Sequence, residues 1–473
     1  MRRLLARLWH YADKPEYGVN GAIKTAVFGE RKRQSLDLKK SLHLFDFGNR
    51  ERILDADLYP YFHTKAGFTL QSFDFWRHSL LLGASGSGKS KLSANFIRQI
   101  SEKSELKNKY HLLVIDPHAN LQNDIGGLAN AEIFDFENNS LDLFGLENNL
   151  MAVEMLVSLF ENLMAEQYNP KLERVLRNTV SLLLSVNDFS FDNFKRVLLE
   201  VAYRNELLSG RTDIPTATRD FFLTGFTEMK TRYYNESVAP LIAFLDEMEQ
   251  LEMRGISTKL QDAINNNFLN IVSLNCAEIG ERMTKVVSNL IFEQIYLLAV
   301  ARKIENLIVV VDEVAMVESP ILAKMLSELR KFGVTIILCE QYLTQVSVET
   351  KNAILANVVN YFSFRVSADD AEFLESTLLM KCLEDDSPEE RQKILMKLAD
   401  RECVARIMNN GKVMAGFLAK TADFSPTPFV PPTRTNEVMR SDRQETTLRS
   451  LEIGNVNLRK IMVKNSTARK PMR

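Results

Sequence analysis

Apolar residues follow two rhythms along this 473-residue chain. The first is short and continuous. Ser79–Leu82, His111–Asp116, Leu307–Glu313 and Val334–Cys339 are mostly apolar runs closed by polar or turn residues, and Val358–Val366, interrupted by Asn360, Ser363 and Arg365, adds a further sheet segment. Such runs predict strands buried on both faces of a parallel sheet. Ala131–Phe136 and Asn270–Leu274 are shorter candidates. Leu42–Phe47 and Phe68–Phe73 alternate apolar with polar residues, as half-buried strands do. The second rhythm is helical. Lys91–Arg98 follows the first run, and a stripe of Met283, Val286, Val287, Leu290, Ile291, Ile295 and Leu298 predicts a long helix. A helix from Pro320 to Lys331 stops at Gly333, a suitable residue just past a helix end. Strands alternating with helices predict a parallel α/β sheet.

From Met151 only the helical rhythm remains. Met151, Met155, Leu156, Leu159, Phe160 and Leu163 share one face, as do Leu172, Val175, Leu176, Val180 and Leu183. Phe191–Leu208, Thr216–Tyr233 and Val238–Met253 continue the pattern. This stretch predicts an all-α insertion into the sheet domain. Near the end, Cys403–Ile407 and Val413–Leu418 flank Asn409-Asn410-Gly411, a hairpin turn sequence. Pro426, Pro428, Pro431 and Pro432 then predict an extended segment, and after them a polar basic tail expected to be disordered or partner-bound.

One loop carries chemistry. Gly83-Ala84-Ser85-Gly86-Ser87-Gly88-Lys89-Ser90 stands between the Ser79–Leu82 strand and the helix at Lys91. This is the phosphate-loop pattern of nucleoside triphosphatases in its required strand–loop–helix setting. Glycines let backbone N–H groups turn toward a polyphosphate, and the helix N-terminus adds partial positive charge. Lys89 would lie on the β- and γ-phosphates and Ser90 on Mg²⁺. Asp312-Glu313 ends the strongest strand. A carboxylate there can hold the Mg²⁺ shell through water, and its neighbour can polarise an attacking water; alone, the pair could equally be acids opening a helix. Gln341, after the next strand, is a candidate γ-phosphate reader or a turn residue. Arg330 sits at a helix end, where a cation also offsets terminal carbonyls. Asp116-Pro117-His118 either lines the site or ends a strand, and His118 is read as structural.

Composition adds limits. No run approaches 18 apolar residues, so no transmembrane helix is predicted. Met1–Trp9 is basic and apolar: a surface helix, or one lying on a membrane or partner. Cys276, Cys339, Cys382 and Cys403 are scattered without metal-ligand spacing, which points to a reducing compartment. The net charge of −2 hides a polarity. Residues 1–50 hold 11 Lys/Arg against 5 Asp/Glu, and residues 437–473 hold 9 against 4. An acidic body thus carries two basic ends, which either touch nucleic acid or anionic lipid or are simply solvated.

Val114-Ile115-Asp116-Pro117-His118-Ala119-Asn120 resembles a motif of the HerA–FtsK superfamily of DNA-pumping ATPases. Val311-Asp312-Glu313, Leu326–Gly333, Leu338–Tyr342 and Ala356–Glu375 resemble the corresponding blocks of conjugative coupling proteins of type IV secretion. The resemblance spans residues 76–420. It implies a RecA-like motor, usually a homo-hexameric ring around DNA, using ATP and Mg²⁺. It implies Lys89 and Ser90 on nucleotide and metal, Asp312 on metal, Glu313 as general base, Gln341 as sensor, and Arg330 offered to a neighbour's site. The expected divisions are a basic mixed segment 1–75, RecA-like parts 76–150 and 266–420, an all-α insertion 151–265, and a tail 421–473. Two departures stand out: Ala119 replaces a glycine, and the N-terminal membrane helices common in coupling proteins are missing. The expected place is the cytoplasm, or a peripheral position at the inner membrane face. Expected partners are DNA, membrane-bound secretion components and a relaxase-like substrate protein. The leading expectation is an ATP-driven DNA translocase. The alternatives are a secretion ATPase that does not pump DNA, and a nucleotide-switched scaffold in defence or DNA processing.

Overall fold

The continuous apolar runs become the middle of one sheet. The computed structural model describes residues 45–46, 74–128, 131–136, 138–142, 150–164, 167–248, 256–380, 387–409, 411–413, 416–422 and 426. The strands, in chain order, are β1 (Phe45–Asp46), β2 (Ser79–Leu82), β3 (His111–Asp116), β4 (Ala131–Phe134), β5 (Asn139–Asp142), β6 (Ile256–Lys259), β7 (Leu269–Ser273), β8 (Leu307–Val311), β9 (Val334–Glu340), β10 (Asn360–Ser363), β11 (Glu402–Arg406), β12 (Met408–Asn409), β13 (Lys412–Val413) and β14 (Phe417–Thr421). Ten of them form a sheet in the order β1-β14-β11-β10-β2-β9-β8-β3-β7-β4. From β10 to β4 every pairing is parallel, whereas β11, β14 and β1 add an antiparallel edge. This is the expected α/β class with a mainly parallel sheet.

Period-two alternation sorts the strand residues onto two apolar layers. Leu80, Ile115, Val309 and Leu338 face one, and Leu81, Val114, Val310 and Cys339 face the other. Helix α1 (Lys89–Glu102) covers the second face through Leu92, Phe96, Ile97 and Ile100. The first face is covered by α3 (Glu281–Val300) and α4 (Pro320–Glu328), while the short α2 (Asn120–Ile125) follows β3 on the α1 side. Each fully buried Leu, Ile or Val side chain contributes about 1.5–3 kcal/mol by leaving water. Helix α3 is long and apolar enough to cross a membrane by length and composition, but most of it is buried inside this fold.

Between β5 and β6 the described residues are helical, in segments 150–164, 170–185, 191–199, 201–208, 216–232, 234–237 and 239–248. Their apolar residues form one continuous core with the sheet face that α3 covers. Strands β5 and β6 pair in parallel and bracket this block. Two expected helices differ in detail. The Phe191–Leu208 helix breaks at Glu200, whose backbone is extended, so that it ends one helix and opens the next. The Thr216–Tyr233 helix widens into a π turn at Phe221–Gly225, where the Phe221 ring meets Phe222 and Phe226 edge to face and those two rings pack tilted against each other. Of the alternating strand expected at 42–47, only Phe45–Asp46 is described, as β1. The strand expected at Phe68–Phe73, the Met1–Trp9 helix, Cys382, most of the proline-rich segment and the basic tail lie outside the described residues, as do nearly all of residues 1–50.

Candidate nucleotide-hydrolysis site

The phosphate loop leaves β2 at the carboxyl edge of the sheet, where open α/β sheets bind ligands. Gly83 N donates to Glu340 O (3.2 Å) and Ala84 N to Arg365 O (2.8 Å), so β9 and the segment after β10 grip the start of the loop. Two glycines are obligatory. A Cβ on Gly83 would lie 2.6 Å from Phe364 Cβ, and Gly88 adopts φ 115° with Phe364 and Arg401 packed against it. Gly88 is the N-cap of α1 and brings no capping side chain. The first N–H groups of α1 therefore keep their need for an acceptor, which a phosphate oxygen would meet. Ser87 Oγ is buried and has no partner. Lys89 is buried, and its Nζ donates to the carbonyls of Gly83 and, at 3.2 Å, Ala84. Burial pulls its pKa down against the opposing pull of Cys339, Asp312, Glu340 and Glu313.

Strand order brings the acids to this lysine. Strand β9 lies between β2 and β8, so Glu340 and Gln341 emerge between the loop and Asp312-Glu313. Gln341 Nε2 donates to Glu313 Oε1 (3.2 Å). Glu313 adopts φ 47°, in the left-handed region, and its Oε2 meets His118 Nε2 at 2.8 Å. Backbone strain of this kind costs about 1–3 kcal/mol and clusters at functional sites. His118, read as structural from the sequence, thus touches the candidate base. Its strand β3 is separated from β2 by β9 and β8, and reaches the site through Glu313. Asp116 is fully buried and accepts from Asn120 N (3.0 Å) and Gln122 N (2.8 Å) at the start of α2. Burial pushes its pKa up to about 6. Ala119, just before α2, adopts φ 58°. Glycine takes that conformation at lower cost, which accounts for the glycine that Ala119 replaces.

Glu340 is a buried acid that the sequence reading passed over. It accepts from Ala315 N (2.8 Å) and Gln341 N (2.5 Å), fixing the turn after β8 to the end of β9. A charged residue closing an apolar strand beside Gln341 was its only signal. Arg330 is not brought to these residues. It lies in the turn Leu329–Phe332, at the opposite end of β9 from Gln341.

A divalent cation fits this chemistry. Asp312 is buried, and its pKa is pushed up to about 7 by burial, then by Asp116 and Glu313, with Lys89 opposing. A cation bound there would relieve that repulsion. Among the described residues no three His, Cys, Asp or Glu side chains form a self-sufficient cage, so phosphates and water would complete the shell, as Mg²⁺ usually requires.

Asp312 also yields a pH prediction for the nucleotide-free protein. An acid whose folded pKa lies above its unfolded value of about 3.9 destabilises the fold when ionised. That cost is absent below pH 4 and grows as the pH rises to 7. In EDTA, Asp312→Asn is expected to stabilise the chain at pH 8 by on the order of 2 kcal/mol, with a smaller gain at pH 5. Thermal melts at both pH values check this, and an equal gain at both would refute it.

Residues 70–295 match the family profile described as the central domain of helicase HerA. In fold the chain is similar to the plasmid coupling protein TrwB bound to a non-hydrolysable GTP analogue, at 15% identity and TM-score 0.51, over 75% of this chain and 89% of that one. A trigonal form of the conjugative coupling protein TrwB with sulphate aligns at 13% identity and TM-score 0.50, over 82% and 95%. VirB4 of Thermoanaerobacter pseudethanolicus aligns at 12% identity and TM-score 0.51, over 74% and 92%. Comparison with curated proteins gave no match. Fold and loop are those of a phosphate-loop nucleoside triphosphatase. Over residues 70–295 the chain is similar to the HerA central domain, and in fold it resembles conjugative coupling proteins.

Proposed function

We propose that this chain is an ATP-driven translocase that moves DNA, or a DNA–protein substrate, as a homo-hexameric ring in a conjugative or type IV secretion-like system. The observation that carries the reading is the convergence of Lys89, Asp312, Glu313 and Gln341 at the carboxyl edge of the sheet. Loop residues Gly83, Ala84, Ser85, Gly86, Ser87 and Gly88 would wrap the phosphates with backbone N–H groups. Ser90 and, through water, Asp312 would hold Mg²⁺, which would neutralise charge on the β- and γ-phosphate oxygens. Glu313 would take a proton from a water as that water's oxygen bonds to the γ-phosphorus and the bond to the β-γ bridging oxygen breaks. Gln341, bonded to Glu313, would orient that base and sense the γ-phosphate. His118 would hold the other carboxylate oxygen. Arg330 faces away from its own loop and would serve the site of a neighbouring copy. The ring would work in the cytoplasm or against the inner membrane face, with a membrane-bound secretion component or a relaxase-like protein as partner.

A second reading, an ATPase that energises a secretion apparatus without pumping DNA, draws on the acidic balance of residues 51–436. Hydrolysis rates with and without single- and double-stranded DNA separate the two. The translocase is expected to be stimulated at least several-fold by one form of DNA, with the gain fading as salt rises. A rate indifferent to both forms would favour the second reading.

A further inference from the structure

A basic cleft of about 470 Å³ opens at the amino-terminal ends of the central strands, across the sheet from the phosphate loop. Arg77, just before β2, Lys109, just before β3, and Arg330 and Lys331, just before β9, line it together with Trp76 and Tyr110. No carboxylate lines the cleft, and none of the four cations is paired with one among the described residues. Lys109 and Lys331 lie over the rings of Tyr110 (5.0 Å) and Phe332 (5.2 Å), contacts that leave their charge uncompensated. Arg77 Nε is buried and has no hydrogen-bond partner. Beneath the two arginines, His78 is buried and accepts from Ile336 N through Nδ1 (2.9 Å). Its pKa is pushed down to about 4, first by burial, then by Arg330, with Arg77 adding to the effect. It is therefore neutral at pH 7 and adds no fifth charge. Trp76 is 43% exposed at the rim, its ring set edge-on against Phe75.

Like charges gathered without counter-charge repel, and a compact polyanion removes that repulsion. The cleft has the size of small-molecule sites, and an exposed indole beside cations suits a nucleobase or its sugar. We propose that this cleft is a second polyphosphate site, distinct from the phosphate loop, which takes the phosphate chain of a nucleoside triphosphate on Arg77, Lys109, Arg330 and Lys331 with Trp76 as its aromatic wall. The triphosphate arrives either free or seated in the phosphate loop of a second copy. The second source rests on the reading of Arg330 above, and extends it to Arg77, Lys109 and Trp76.

The chain has two tryptophans, Trp9 and Trp76, so Trp9→Phe makes Trp76 the sole reporter. Lys89→Ala is added to disable the phosphate loop. Inorganic tripolyphosphate and ATP are titrated into this protein while Trp76 emission is followed. A saturable change with either probe, weakened at least tenfold by Arg77→Gln or by the exposed Lys109→Gln, supports capture of free polyphosphate. In the second arm, a full-length Trp9→Phe/Trp76→Phe/Glu313→Gln chain loaded with ATP is added instead. A change in this arm alone, abolished by the same two variants, supports delivery by a second copy. Loading is checked beforehand with a fluorescent ATP analogue, so failure of the phosphate loop is seen separately. If emission in both arms follows only the ionic strength matched with NaCl, the cleft is not a polyphosphate site. Circular dichroism of Lys109→Gln guards against misfolding as the cause of lost binding.

Discussion

Glu313→Gln is expected to bind ATP with near wild-type affinity and to hydrolyse it about 10²–10⁴-fold more slowly, the usual contribution of a general base. The amide keeps the shape of the side chain and can still bond Gln341 and His118, whose contacts flank the carboxylate at 3.2 and 2.8 Å. It cannot accept a proton from water. Burst and steady-state measurement of phosphate release, with a separate nucleotide-binding titration, checks both halves. A variant that loses affinity and fold together would show that Glu313 holds the left-handed turn after β8 and does no chemistry.

Lys89→Ala is expected to lower turnover by at least about 10²–10³-fold, the loss seen when one preorganised charge-stabilising donor is removed. Affinity for ATP should fall with it. Lys89 is the cation set among Asp312, Glu313 and Glu340, and no loop N–H group replaces a full charge on the β- and γ-phosphates. Its Nζ is held on the carbonyls of Gly83 and Ala84, contacts that a phosphate would replace. The far-ultraviolet circular dichroism spectrum should be unchanged, because the loop is anchored by backbone bonds from Gly83 and Ala84. Near wild-type turnover in the purified variant would remove the nucleotide assignment.

Much of the sheet was legible because β2, β3, β8 and β9 are buried on both faces, and such strands must be apolar at nearly every position. The loop, Asp312, Glu313 and Gln341 were legible because each ends or follows one of those runs. Strands β5 and β6 were not: Asn139-Ser140-Leu141-Asp142 and Ile256-Ser257-Thr258-Lys259 are largely polar, and their pairing depends on chain ends brought together from far apart. Glu340 and His118 were obscured for a related reason. What matters is the placing of β9 between β2 and β8, and the register that sets Ile115 beside Val311. No local pattern encodes either. The remote position of Arg330 follows from the direction of β9, which periodicity alone does not weigh.

Strand β9 has one further consequence. Its seven residues run unbroken from the basic cleft to Glu340, with Gln341 next. At ~3.3 Å per residue it is a ruler of roughly 20 Å. If the cleft of one copy meets the nucleotide of the next, this ruler sets the pitch between successive fuel sites around the ring. A buried strand bonded on both sides stretches little. The step from one ATP to the next would then be a constant of the backbone, indifferent to the cargo in the channel.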